Sequence, residues 1–226
     1  MKGTYLLVNF LAVSVPFVFS FHPKIKFNRN FSAFFKANLI AAALFLVWDV
    51  IFTAKGVWSF NPDYTLGIEI YNLPIEEILF FLCIPFACTF SYHCAGIFWK
   101  IKWRNSTENI FVLLLSALLL VAGIVFREKA YTSVTCLVTA ALLLSLKYYF
   151  KADWLAQFFL VYLFLLIPFF VVNGILTGTG LEEPVVLYNN SENLGIRLLT
   201  IPVEDTFYGM ALIMLNVFLF ERFRKN

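Results

Sequence analysis

Carboxylates are the side chains whose spacing in this sequence suggests chemistry, because they recur in the same setting twice. Leu66-Gly67-Ile68 precedes Pro74-Ile75-Glu76-Glu77, and Leu194-Gly195-Ile196 precedes Pro202-Val203-Glu204-Asp205, at a constant offset of 128 residues. The same offset superposes Phe60-Asn61 on Tyr188-Asn189 and Leu73 on Ile201. Each copy opens a long apolar run, and ionisable groups at the mouth of a membrane helix are costly to keep there, which marks them as functional. The proline of each copy suits a first helical turn, where its missing N–H is not needed. The acid two positions later then lies at the positive helix terminus. Capping of this kind accounts for Glu76 and Glu204. It does not account for the doubled acids, because successive helical residues point about 100° apart. A helix terminus favours the anion by about 0.3–1 kcal/mol, whereas burial beside other carboxylates acts in the opposite sense and several times more strongly. Four such acids facing one another under a cover would keep at least one protonated near neutral pH, a Brønsted acid in an apolar chamber.

The elements that must position these acids are membrane spans. Of 226 residues, 61% are hydrophobic, 14% are charged and 28 are Phe, and the mean hydropathy is +0.82. A soluble domain of this size does not need so much apolar sequence; several spans of about 20 residues account for it. Seven apolar runs can be marked, at 4–21, 31–54, 74–98, 109–126, 131–149, 154–173 and 202–220. This predicts an all-α polytopic membrane protein with seven transmembrane helices. Segments 22–30, 99–108, 147–153 and 221–226 carry eleven Lys and Arg, among them Lys100 and Lys102, against five in the alternate connections. The positive-inside bias therefore puts the N-terminus outside and the C-terminus in the cytoplasm. The exit of the first run, Val18-Phe19-Ser20-Phe21, is too bulky for signal cleavage, so this run is kept as a span. Runs two and three match runs six and seven. A separation of four spans gives both copies the same orientation, as in parallel repeats about an axis along the membrane normal. The expected organisation is 3+1+3: a first repeat over 1–107, a linking span over 108–129 and a second repeat over 130–226.

The long connections 55–73 and 174–201 both fall on the external side, directly before the acids. Their Asn, Gly and Pro content argues against regular structure, and their apolar residues argue for folding back on the helix ends as a lid. Asp49, next to Trp48 at the end of run two, has its counterpart in Asn173 at the end of run six. Asn61 and Asn189 are either site residues or turn formers. His93 lies 17 residues beyond Glu76, about 25 Å along a straight helix, so it is read as a satisfied buried histidine. Pro16, Pro85 and Pro168 are expected to kink their helices. Cys83, Cys88, Cys94 and Cys136 lie inside apolar runs without C-x-x-C spacing and read as small apolar residues. The net charge of +3 is no nucleic-acid footprint.

With the Trp48-Asp49 helix end and the Asn-bearing loops, the two acidic motifs resemble those of the integral-membrane lycopene cyclases, which occur as heterodimeric subunits in actinobacteria and fused to phytoene synthase in fungi. The resemblance spans both halves of the chain, with both members of the usual pair in one polypeptide. It implies a β-cyclase, an isomerase acting on the ψ-ends of lycopene in carotenoid biosynthesis, in which Glu76, Glu77, Glu204 and Asp205 are the catalytic positions. A carboxylic acid protonates the terminal alkene, an internal double bond attacks the cation, and a carboxylate removes a ring proton. Glu76 and Glu204 come first among the four because they are equivalent. Asp49, Asn61, Asn173, Asn189, Trp48 and Trp58 are candidates for substrate contact or support. The implied partners are lycopene and the bilayer of a cell membrane, and association with a second copy or with other carotenoid enzymes is left open. No metal and no organic cofactor are expected, since G-x-G-x-x-G is missing.

Two other classes compete. In a membrane prenyltransferase the acids would hold Mg²⁺ against a diphosphate, but phosphates normally also need Arg or Lys, and near the acids only Arg197 and Lys55 qualify. A transporter would use the acids as a proton relay. A retinal protein is excluded, because run seven has no Lys for a Schiff base.

Overall fold

The computed structural model describes residues 2–99 and 104–225. Seven α-helices follow the seven apolar runs: α1 (Thr4–Phe19), α2 (Phe31–Ala54), α3 (Ile75–Phe98), α4 (Asn105–Val125), α5 (Ala130–Leu144), α6 (Leu155–Leu176) and α7 (Val203–Arg224). A turn of π-helix over Ser145–Tyr149 extends α5. Six of these helical segments are long and apolar enough to cross a membrane, whereas α1, at 16 residues, is shorter. Large apolar side chains stand exposed on the outward faces of the bundle, among them Leu44 and Val47 on α2, Leu114 and Leu118 on α4, and Leu163 and Ile167 on α6. This is the surface a lipid solvent requires. Lys100 and Lys102, two of the charges counted for orientation, lie outside the described residues.

The loops depart from the expectation of irregular structure. Six short strands occur in them: β1 (Trp58–Phe60), β2 (Glu69–Ile70), β3 (Leu73–Pro74), β4 (Val186–Tyr188), β5 (Arg197–Leu198) and β6 (Ile201–Pro202). In each loop a hairpin, β2–β3 or β5–β6, leads directly into the acidic helix. Strands β1 and β4 pair across the two loops, Trp58 with Tyr188, Ser59 with Leu187 and Phe60 with Val186. Ser59 therefore faces its own repeat equivalent, and the flanking pairs exchange equivalents, as a two-fold relation between the copies demands. The bonds beyond the strands obey the same relation. Asn61 N–H donates to the Val185 carbonyl at 2.8 Å, and Asn189 N–H to that of Val57 at 2.9 Å.

The hairpins also explain two details of the motif. Gly67 and Gly195 have φ of +79° and +71°, with open space around a would-be Cβ. They are glycine for backbone conformation, not for room. Pro74 and Pro202, expected inside the first helical turn, instead stand one residue before it with extended ψ. Each pairs in its hairpin, and the helix starts at the next residue.

The helices interleave the two halves. α1 packs on α3 and α5 on α7, while α2 packs chiefly against α7 of the other half, and α4 rests on α5. At the centre, Asn38 Nδ2 of α2 donates to Asn216 Oδ1 of α7 and to the Phe81 carbonyl of α3, both at 3.0 Å. That carbonyl lacks its helical partner because the residue four positions on is Pro85, which has no N–H. Asn38→Leu should therefore destabilise the bundle by about 1 kcal/mol, the usual range for an interhelical hydrogen bond in a membrane. Adding Pro85→Ala should recover most of the loss by returning an N–H to Phe81. Unfolding titrations in detergent would check both; no recovery in the double variant refutes the pairing.

Candidate active site

Six of the seven helices, all but α4, contribute an end to one cavity beneath the two loops. Its wall includes Tyr5 from the start of α1, Asp49 from the end of α2, Glu77 from the start of α3, Tyr131 from the start of α5, Asn173 from the end of α6, and Asp205 and Tyr208 from the start of α7. Trp58, Phe60, Val186 and Tyr188 of the paired strands β1 and β4 line the same cavity. The loops thus form a lid, and its strands carry part of the wall.

The four motif acids divide into two pairs by what they touch. Glu76 Oε1 accepts the Leu66 N–H at 2.7 Å, and Glu204 Oε1 accepts the Leu194 N–H at 2.8 Å and the Thr132 hydroxyl at 2.6 Å. Both are fully buried, and each fastens the Leu-Gly-Ile turn of its own copy back onto the helix start. Neither lines the cavity. Glu77 and Asp205, one position on, do line it. The Tyr5 hydroxyl donates to Glu77 Oε2 at 2.5 Å. Asp205 accepts Tyr131 through Oδ1 at 2.5 Å and Tyr188 through Oδ2 at 3.0 Å. Burial, and then the neighbouring Asp205 carboxylate, hold the Tyr188 phenol well above its ordinary range, so it remains a donor.

Asp49 lies against Glu77 and accepts the Trp58 indole N–H at 2.5 Å. Asn173, its counterpart, lines the same cavity, with its Nδ2 on the Phe169 carbonyl of its own helix at 3.3 Å. Asn61 and Asn189 stand elsewhere. Their Oδ1 atoms accept the N–H two residues on, at Asp63 and Ser191, which is the Asx turn that shapes each loop. Trp48 is behind the wall, with its ring 5.0 Å from that of Tyr208. His93 is far from the acids, with Nε2 at 3.0 Å from the Ile25 carbonyl.

The phenols were not singled out from the sequence. Tyr5 and Tyr131 are equivalent at an offset of 126 residues, not 128, so a gapless extension of the motif repeat passes them by. Their backbones mark the equivalence: Tyr5 N–H donates to the Tyr64 carbonyl and Tyr131 N–H to that of Glu192. Around the acids, Trp58, Tyr131, Tyr188 and Tyr208 form one ring cluster, with centroids 5.2 Å apart for Trp58–Tyr131 and 5.8 Å for the stacked Tyr131–Tyr188 pair.

Fold and site together define a polytopic helical membrane protein whose first half sends Asp49 and Glu77, and whose second half sends Asp205, into a shared, aromatic-walled centre. The sequence matches the profile of a family described as lycopene cyclase over residues 2–95 and 128–223, and the chain belongs to that family. It is also 32% identical over 53 residues to the bifunctional lycopene cyclase/phytoene synthase of Aspergillus niger, a match covering 24% of this chain and 9% of the fungal one. No solved structure matches.

If Glu204 is a clamp for its loop, Glu204→Ala should leave Asp205 in place but free the Leu194 amide. Loss of a charge-assisted bond worth roughly 1.5–3 kcal/mol predicts hydrogen exchange at Leu194 faster by about tenfold or more. Exchange mass spectrometry on the detergent-solubilised protein reads this directly, and an unchanged Leu194 amide would remove the clamp.

Proposed function

We propose that the chain is a lycopene β-cyclase, an isomerase that closes acyclic ψ-ends into β-ionone rings in the cell membrane, built as two parallel three-span repeats over 1–107 and 130–226 joined by a span over 108–129. The N-terminus lies outside and the C-terminus in the cytoplasm. The observation that carries the reading is the meeting of Glu77 and Asp205, one from each motif copy, at one cavity with Asp49 beside Glu77. Two adjoining carboxyl groups in apolar surroundings hold one proton between them, because their charges repel. The Asp49–Glu77 pair is thus the acid. It protonates the terminal double bond of a ψ-end, and the adjoining carbon becomes a tertiary cation. The internal double bond attacks that carbon and closes a six-membered ring, moving the positive charge onto the ring. Asp205, which accepts two phenol hydroxyls, removes a proton from the ring carbon between cation and polyene, and the β-end results. One proton enters and one leaves, so the product is an isomer.

The wall suits this chemistry. Faces of Trp58 and Tyr208 stabilise a passing cation, and the lid delays its capture by water. Arg197, the cation nearest the second motif, is turned to the Thr200 carbonyl and Asn190 Oδ1, and no Lys or Arg is among the cavity-lining residues described. A diphosphate would lack its usual partners there, which favours the cyclase over the prenyltransferase. Glu76 and Glu204 act by positioning the lid.

In a lycopene-accumulating host, Glu77→Gln and Asp205→Asn should each lower ring formation by about 10²–10⁴-fold, the range for a lost general acid or base. Pigment analysis at matched membrane levels checks this; ring formation unchanged in either variant takes that residue out of the chemistry. With the wild-type chain in D₂O, each ring formed should gain one deuterium, and unlabelled rings would rule out acid initiation.

A further inference from the structure

The proposed function says what happens to the end of the substrate; the structure also offers a place for the rest of it. Beside the acid-bearing cavity lies a second, of about 190 Å³, between α1, α3, α6 and α7, and the two share Ile84, Phe169, Asn173 and Ile213 in their walls. A third, of about 460 Å³, lies further along α3 and α6 and shares Ser91, Leu165 and Pro168 with the second. Cavities with common wall residues in series make one path. On α3 the path follows Glu77, Ile84, Cys88, Ser91, Cys94 and Phe98, a single face at helical spacing. From Glu77 to Phe98 this is 21 residues, about 31 Å, the thickness of a bilayer's hydrocarbon core. It widens away from the acids, and at its far end Phe98, Trp99 and Phe164 are exposed on the lipid-facing surface.

The prolines show why the path lies on this side. Pro16, Pro85 and Pro168 are the prolines inside described helices, on α1, α3 and α6, three of the four helices that bound the second cavity. Pro16 and Pro168 face it directly. A proline ring displaces the preceding turn of its helix and keeps neighbours from closing on it. The equivalent seam of the other half, between α2 and α7, contains no proline and is filled by Ala42, Phe45, Ala211 and Leu212, all buried.

We infer that the path along α3 and α6 is the binding channel for the polyene chain of the substrate, which enters from the lipid and runs from the acids to Trp99 while one end is cyclised. The occupant is a rigid, linear, apolar polyene with its reacting end at Glu77 and Asp205. The wall meets that chemistry: the second and third cavities are lined by apolar side chains, with Ser91, Tyr162 and Asn173 as the exceptions. One channel serves both motif copies, so the two ends of a substrate must be cyclised in separate binding events.

This inference rests on the cyclase reading, and the test separates the two. Ser91→Phe and Cys94→Phe place a ring in the channel away from the acids. Each purified variant is assayed in liposomes with two substrates: lycopene, and a shortened acyclic apocarotenoid that carries one ψ-end and reaches no further than Cys88. The expected result is at least a tenfold loss with lycopene, and turnover of the short substrate within about twofold of the wild type. Turnover of the short substrate also reports that the variant has folded. Unchanged lycopene turnover in both variants, or equal loss with both substrates in both, overturns the channel. A wild-type chain that turns over neither substrate defeats the cyclase reading instead. The channel then stands or falls on whether bound lycopene quenches Trp99 emission, isolated by difference against Trp99→Phe.

Discussion

A carboxyl group buried in an apolar bundle must be given donors, and that constraint shapes the whole upper end of this protein. Water cannot supply them in the hydrocarbon region, so each acid draws on a different part of the chain. Glu76 and Glu204 take backbone amides from the loop ahead of their own helix. Glu77 and Asp205 take phenols from α1, α5 and β4. The first pair ties the lid to the bundle and the second draws the first helix of each half onto the third. Lid, helix packing and site thus follow from the same few hydrogen bonds, which explains why adjacent acids in the sequence do separate jobs.

Much of this was legible in the sequence. Helix positions followed from apolar run length, and the repeat followed from an offset that carried Gly and Pro along with the acids. The cover over the helix ends was readable from apolar residues in the loops. Strands of two or three residues were not, because nothing periodic can be seen over such lengths. The partition of the acids was also hidden: equivalence in sequence ranks Glu76 with Glu204 and Glu77 with Asp205 but cannot say which pair faces inward. That depends on the hairpin turning the Leu66 and Leu194 amides back onto the helix starts. Asn61 and Asn189 had the composition of a site and the position of a turn, and their contacts are those of a turn.

Duplication alone would make a symmetric site, and a symmetric site suits the proposed cyclisation poorly, since its acid and base must differ in protonation at the same moment. The departures from symmetry supply that difference. Asp49 in one half is matched by Asn173 in the other, so Glu77 has a second carboxyl group beside it and Asp205 does not. Phe60 is matched by Tyr188, so Asp205 has a second hydroxyl donor and Glu77 does not. On the proposed mechanism these two exchanges give Glu77 and Asp205 different neighbours, and with them different roles. The prolines break the same symmetry in packing, leaving one seam open and the other filled. On the proposed reading, three such differences in a duplicated scaffold supply one acid, one base and one direction of approach.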